Sequence, residues 1–203
     1  RFAELGRKGV LAMLSDSTNV EKPGYTMSEK VVGENFERIF NKAKGRIIVA
    51  TFASNVHRIQ QIVDASVKYE RKVAVSGRSM ENIVAVAAEL GYLNIPEDTL
   101  VGIDQINKYN NDQVSIITTG SQGEPMSALA RMANSEHRKV NIVAGDTVII
   151  SATPIKEKKK LVSKVINQLL QKGAEVIYKA LAEIHVSGHA CKEELKLMQC
   201  LVK

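Results

Sequence analysis

The sequence predicts an α/β fold, a mostly parallel sheet flanked by helices on both faces. Three observations carry this prediction. Short runs rich in Val and Ile alternate with longer segments of helical period. The short runs are apolar throughout, as strands buried on both faces are. The chain between successive runs is long enough for a crossover helix, which parallel neighbours require.

Taken in order, the predicted strands are "VLAMLS" at 10–15, "RIIVAT" at 46–51, "KVAVS" at 72–76, "VSIITT" at 114–119, "TVIIS" at 147–151 and "EVIYK" at 175–179. Helical periodicity places helices at 27–43, 55–70, 79–91, 125–136, 157–172 and 190–202. Gly45, Gly91 and Gly173 follow three of these segments, where a left-handed C-cap would sit. "KEKKK" at 156–160 reads as the solvated start of a helix, and its positive charge would also suit a phosphate backbone. No internal repeat is visible.

Composition narrows the function classes. The chain has 203 residues, 44% of them apolar and 25% charged, enough for a substantial core in one large or two small domains. No apolar run approaches the ~20 residues that span a bilayer, and "RFAELGRKG" has no apolar signal-peptide core, so a cytoplasmic protein with no membrane partner is expected. Cys191 and Cys200 share one predicted helix, a poor geometry for a disulfide, and are expected to be reduced. A net charge of +6 suits a polyanionic partner without requiring one. Aromatic residues are only 4%, so base stacking cannot be used widely. The chain opens on Arg1 and closes inside an apolar helical pattern, which reads as a piece of something longer.

Small polar residues follow nearly every predicted strand. Ser15 to Asn19 come first, then Ser54, Asn55, His57 and Arg58, then Ser76 to Ser79 with Arg78, then "TGSQGEP" from Thr119 with Ser121, Gln122 and Gly123, then Ser151 and Thr153, and last His185 to His189. In an open parallel sheet these segments share the carboxyl edge, where ligands bind. Small residues let backbone N–H groups approach an anion, helix N-termini add positive charge, and Arg58 and Arg78 could each hold a phosphate. Singly, each residue also reads as an ordinary cap or turn. "TGSQGEP" lacks the Gly-Lys-Ser/Thr ending of a Walker loop, and "VSGRSMEN" is not a dinucleotide fingerprint.

Of the four histidines, His137 in "SEHRK" is expected to be exposed. His185 and His189 could face one way only on a helix, which Gly188 opposes. No metal site can be built, because neither HxHxDH nor HExxH occurs. Asp16 ends the first predicted strand and His189 follows the last. If those strands are neighbours, Asp16 orients the imidazole and His189 becomes a general acid.

"SDSTN", "FASNVHR", "GRSM", "TGSQGEPMSAL", "ISATPI", "INQLLQKGAEVIY" and "IHVSGHA" with "EELKLM", in this order, resemble the bacterial ribonuclease J family, and the likeness covers nearly the whole chain. The resemblance implies a β-CASP domain at 27–179, with short pieces of a metallo-β-lactamase αββα domain at 1–26 and 180–203. It implies a zinc-dependent ribonuclease acting 5′ to 3′ and endonucleolytically in mRNA decay and rRNA maturation. Single-stranded RNA, preferably 5′-monophosphorylated, would be the partner, and the complete protein a dimer or tetramer. The family's two zinc ions are held by an HxHxDH motif and further ligands before "RFAELG" and in a "VHGE" segment after Lys203, none of which is in this chain. By position, Asp16 matches the family's acidic motif and His189 the histidine that protonates the leaving oxygen. Ser54, Asn55, Arg58, Arg78, Ser79, Ser121, Gln122, Gly123, Ser151, His185, Ser187 and Gly188 would then face the 5′ phosphate and first nucleotides. One departure is "KEKK" at 156–159, where the family has a "PGNE"-like turn. The competing readings are a phosphate- or nucleotide-binding α/β module or transferase, and a pure interaction domain.

Overall fold

The computed structural model describes residues 1–178 and 184–202. Lys179, the boundary expected at 179/180 and the terminal Lys203 lie outside the described residues. The chain divides into two compact units. Arg1–Glu29 joins Val186–Lys203 in the smaller one, and Lys30–His185 forms the larger.

The larger unit is α/β. Its elements run α2 (Glu29–Lys42, beginning at the unit boundary), β1 (Ile47–Ala50), α3 (Val56–Lys68), β2 (Lys72–Ser76), α4 (Arg78–Glu89), β3 (Leu100–Val101), β4 (Val114–Thr118), α5 (Ala128–Ala133), β5 (Thr147–Ile150), α6 (Lys159–Gln171) and β6 (Glu175–Tyr178). The six strands form one sheet in the order β3-β2-β4-β1-β5-β6, and every pairing is parallel. β1 sits at the centre, with Ile47 opposite both Ser115 and Thr147.

Burial on both faces explains the continuous apolar strands. Ile48, Ala50, Ala74, Ile116, Val148 and Ile150 join one core with α5 and α6. Alternation turns Ile47, Val49, Val73, Ile117 and Ile149, all fully buried, to the other face, where α3 and α4 pack. The chain therefore leaves β1 toward one face and β5 toward the other. Such divergence between neighbouring strands opens a crevice at the carboxyl edge.

At the opposite edge, Arg46 forks onto Asp146, with Nε donating to Oδ1 at 2.9 Å and a terminal nitrogen to Oδ2 at 2.6 Å. Gly91 and Gly173 take left-handed conformations, with φ of 73° and 80°. Gly45 does not. It is needed for close approach, since a Cβ there would stand 2.2 Å from the carbonyl oxygen of Gly145.

The smaller unit holds α1 (Phe2–Lys8) and α7 (Lys192–Val202), packed together. The strand expected at 10–15 is absent. Val10, Leu11, Met13 and Leu14 are all exposed, Leu11 completely, and no neighbouring strand among the described residues is there to pair with them. The periodicity was that of a strand, but an isolated strand leaves its backbone groups unpaired. Among the described residues the one ladder contact here is a parallel bridge, Asn19 to Cys191. Both cysteines are free, Cys191 buried and Cys200 exposed. No helix among the described residues is long and apolar enough to cross a membrane.

Candidate functional site

In the smaller unit, Asp16 and His189 meet. Nδ1 of His189 is hydrogen-bonded to Oδ2 of Asp16. The other oxygen, Oδ1, accepts the backbone N–H of Thr18 at 2.7 Å. Hydrogen bonds from Thr18, then the one from His189, hold the Asp16 carboxyl well below the usual carboxylate range. Both side chains stay about half exposed, at 50% and 52%, so a solvent-borne substrate can reach them.

The loop carrying His189 is built from below. Asn19, only 5% exposed, donates its amide to Ser187 Oγ and to the His189 carbonyl, each at 3.0 Å. Thr26 Oγ1 stands 3.2 Å from that carbonyl, with its one proton directed at Glu194 at 2.6 Å. Ser187 Oγ accepts the His189 N–H at 3.2 Å. Glu194, in the first turn of α7, accepts the N–H groups of Cys191 and Thr26 and the Thr26 hydroxyl. These bonds, that to the Thr26 hydroxyl first, lower its carboxyl below the ordinary value. Asn19, Thr26 and Glu194 are positioning residues that periodicity could not reveal, because each acts through a partner more than 160 positions away. Gly188 is exposed with open space around it. A groove of about 470 Å³ lies beside Asp16, between Phe2 and the apolar side of α7 at Met198 and Leu201.

In the larger unit the candidates separate into two sets. Ser54, Arg78 and Ser79 are exposed at the carboxyl edge, and Asn55 is half-buried there. Asn55 caps α3, its side chain accepting the Arg58 N–H at 3.0 Å. Arg78 opens α4 immediately after Gly77.

The second set lies largely inside the unit. Arg58 is fully buried. Its guanidinium bonds Ser151 Oγ, the Ile184 carbonyl at 2.6 Å and Gln61 Oε1 at 2.9 Å. Ser151 Oγ in turn donates to the Ile184 carbonyl at 2.5 Å. The crevice between β1 and β5 is thus filled by a protein cation and its partners. Gln122, 1% exposed, uses both ends of its amide within the chain, donating to Thr153 O and accepting Ile155 N–H. Ser121 is buried beside it. At Gly123 (φ +68°) a Cβ would stand 2.7 Å from the α6 backbone at Leu161 and Val162, so its absence of side chain serves packing. His185 is half-buried at the end of this unit.

His137 is also not where expected. It is half-buried, with Nε2 3.0 Å from Ser76 Oγ and Nδ1 accepting the Val140 N–H at 3.0 Å. An accepting Nδ1 means the neutral ring, with its proton on Nε2. Burial, followed by Arg131 and Lys139 nearby, lowers its pKa.

Residues 44–169, from three residues before β1 to the last turn of α6, match the family model of the ribonuclease J β-CASP domain. The chain belongs to the ribonuclease J family. Its whole length aligns with the ribonuclease J of Helicobacter pylori strain J99 at 49% identity, covering 29% of that protein. It is 46% identical to ribonuclease J2 of Bacillus subtilis and 47% to ribonuclease J of Synechocystis, covering 36% and 32% of them. The chain therefore spans about a third of the length of these relatives.

Among the described residues no three His, Cys, Asp or Glu side chains converge as a metal ion requires. The Asp16–His189 pair contributes two such groups, already bonded to each other.

Proposed function

We propose that this chain is the RNA-binding and part-catalytic segment of a metal-dependent ribonuclease that hydrolyses phosphodiester bonds. On this reading 27–179 is the β-CASP domain, and 1–26 and 180–203 are pieces of the metallo-β-lactamase domain. The Asp16–His189 pair carries the proposal, with relatives named ribonuclease J beside it. Asp16, ionised and anchored by Thr18, accepts the Nδ1–H of His189. That fixes the tautomer and ring plane, leaves Nε2 for substrate and stabilises the imidazolium. As water adds to phosphorus and the P–O3′ bond breaks, Nε2 gives its proton to the departing 3′ oxygen.

The two zinc ions that the resemblance implies would be held by residues outside this chain, which by itself would be inactive. Exposed Ser54, Arg78 and Ser79, with half-buried Asn55 beside them, form the anion-binding edge for a 5′ monophosphate on single-stranded RNA. Arg58, Ser121, Gln122 and Ser151 support that edge from within. Exonuclease and endonuclease action in mRNA decay and rRNA maturation, a cytoplasmic location and a dimeric or tetrameric whole protein follow from the same resemblance.

The test is binding of 5′-monophosphorylated against 5′-hydroxyl RNA by this chain. The monophosphate should bind more tightly, and Arg78→Ala should remove most of the difference. Equal binding of both RNAs by the unsubstituted chain would refute the phosphate edge.

A further inference from the structure

The segment "KEKKK" gains a meaning from what holds it. The loop after β5 is clamped by Gln122 at Thr153 and Ile155, so the turn that follows starts at a fixed point on the carboxyl edge. Lys156–Lys158 form one 3₁₀ turn that runs directly into α6. Lys158 reaches Glu124 at 3.4 Å. Lys156, Lys159, Lys160 and Lys164 are exposed and have no carboxylate within ion-pair distance among the described residues.

α6 itself contains no acidic residue, and Glu157 is the only one in the turn before it. Its inner face buries Val162, Val165 and Leu169. The outer face carries Lys160, Lys164, Asn167 and Gln171 in one row at helical spacing, spanning roughly 16 Å. A shallow groove of about 520 Å³ runs over Lys159, Lys160, Lys164, Asn167 and Gln171. The helix N-terminus adds its own positive end where the lysines are densest. Such a face is unpartnered, strongly cationic and lined beyond the lysines by amide donors.

We propose that this face of α6 is a second contact for RNA, taking the phosphate backbone of nucleotides downstream of the carboxyl edge. The inference rests on the RNA-binding reading above and extends it from the 5′ end to the body of the strand. Charge complementarity commits the face to a polyanion. The absence of aromatic residues from the row, which leaves bases nothing to stack on, commits it to backbone rather than base contacts. Binding here is therefore expected to be independent of sequence and strongly dependent on salt.

Two RNAs separate the two readings in the 203-residue chain. A 5′-monophosphorylated tetranucleotide reports the edge alone, and an RNA of about 20 nucleotides reports edge and stripe together. The variant Lys156→Gln/Lys159→Gln/Lys160→Gln/Lys164→Gln should weaken the longer RNA about tenfold or more, and flatten its plot of log affinity against log salt by about 2–3 units. Tetranucleotide binding should stay as it is. Unchanged affinity and salt slope for the longer RNA, with the tetranucleotide still bound, would overturn the stripe and leave the edge standing. Failure of the unsubstituted chain to bind either RNA would overturn both.

Discussion

His189 Nδ1 rests on the carboxylate of Asp16, 173 positions earlier in the chain, and the same carboxylate is tied down by the backbone of Thr18. One oxygen is therefore fixed by its own loop, and the other is aimed at the imidazole. Asp16→Asn keeps the shape but replaces the anion that stabilises the imidazolium. In a full-length family protein carrying this chain, the substitution should lower kcat by about 10²-fold or more, with KM and bound metal nearly unchanged. Since Asp16 stays ionised well below the ordinary carboxylate range, its own titration should not appear in the pH–rate profile at mild acidity. Loss of metal along with activity would assign the pair a structural role instead.

Arg58 has a different task from Arg78. It is fully buried and ties α3 to Ser151 and the Ile184 carbonyl. Arg58→Ala would leave those acceptors buried and short of a donor, which should cost about 3 kcal/mol in urea unfolding. Arg78→Ala, at an exposed position, should change stability by less than about 0.5 kcal/mol. A stable Arg58→Ala variant that lost only RNA binding would return Arg58 to the phosphate site.

The His137 ring adds an acid-sensitive contribution. Its pKa is lowered on folding, chiefly by burial, so the unfolded chain binds the proton more readily. Stability from this group is fully present above the ordinary value of about 6.5 and is lost as pH falls through the folded value. Protonation also places a proton on the Nδ1 that accepts the Val140 N–H. His137→Gln should unfold at a pH-independent offset above neutrality and show a shallower loss of stability than the parent in mild acid. Parallel curves for the two proteins across that range would rule this out.

At the amino edge, Arg46 and Asp146 form a forked ion pair with side chains 9% and 1% exposed, and Asp146 Oδ2 also accepts the Val143 N–H. Removing one partner strands the other charge. Asp146→Ala should cost about 3–5 kcal/mol, whereas Arg46→Met with Asp146→Leu should cost far less than the sum of the single changes. Additive effects in a double-mutant cycle would mean that the two charges do not interact.

The central strands were legible because their apolar runs are short, β-branched and continuous, and strands at 47–50, 72–76, 114–118, 147–150 and 175–178 all formed inside the expected bounds. The run at 10–15 is as continuously apolar, though Val10 is its one β-branched residue, and it stays unpaired, since a strand exists only where another offers its hydrogen bonds. β3 went unseen because two residues, Leu100 and Val101, carry no period. α1 went unseen because its seven residues bury nothing, and its contact depends on Gly6, where a Cβ would meet the Leu201 carbonyl at 2.1 Å.

What the sequence determined by itself is local: hydrophobic period, caps, the order of motifs and the supply of polar residues at strand ends. The family followed from that order. Only the tertiary structure decided which polar residues face solvent. Arg58 and Arg78 both follow strands and look alike in sequence, yet one fills the crevice and the other stands on its rim. The direction of a side chain at a strand end depends on the helix that departs there and on acceptors contributed from far along the chain, as Ile184 serves Arg58 across 126 positions. No local pattern encodes such a partner, because burial of a polar group is settled by the sum of its distant hydrogen bonds.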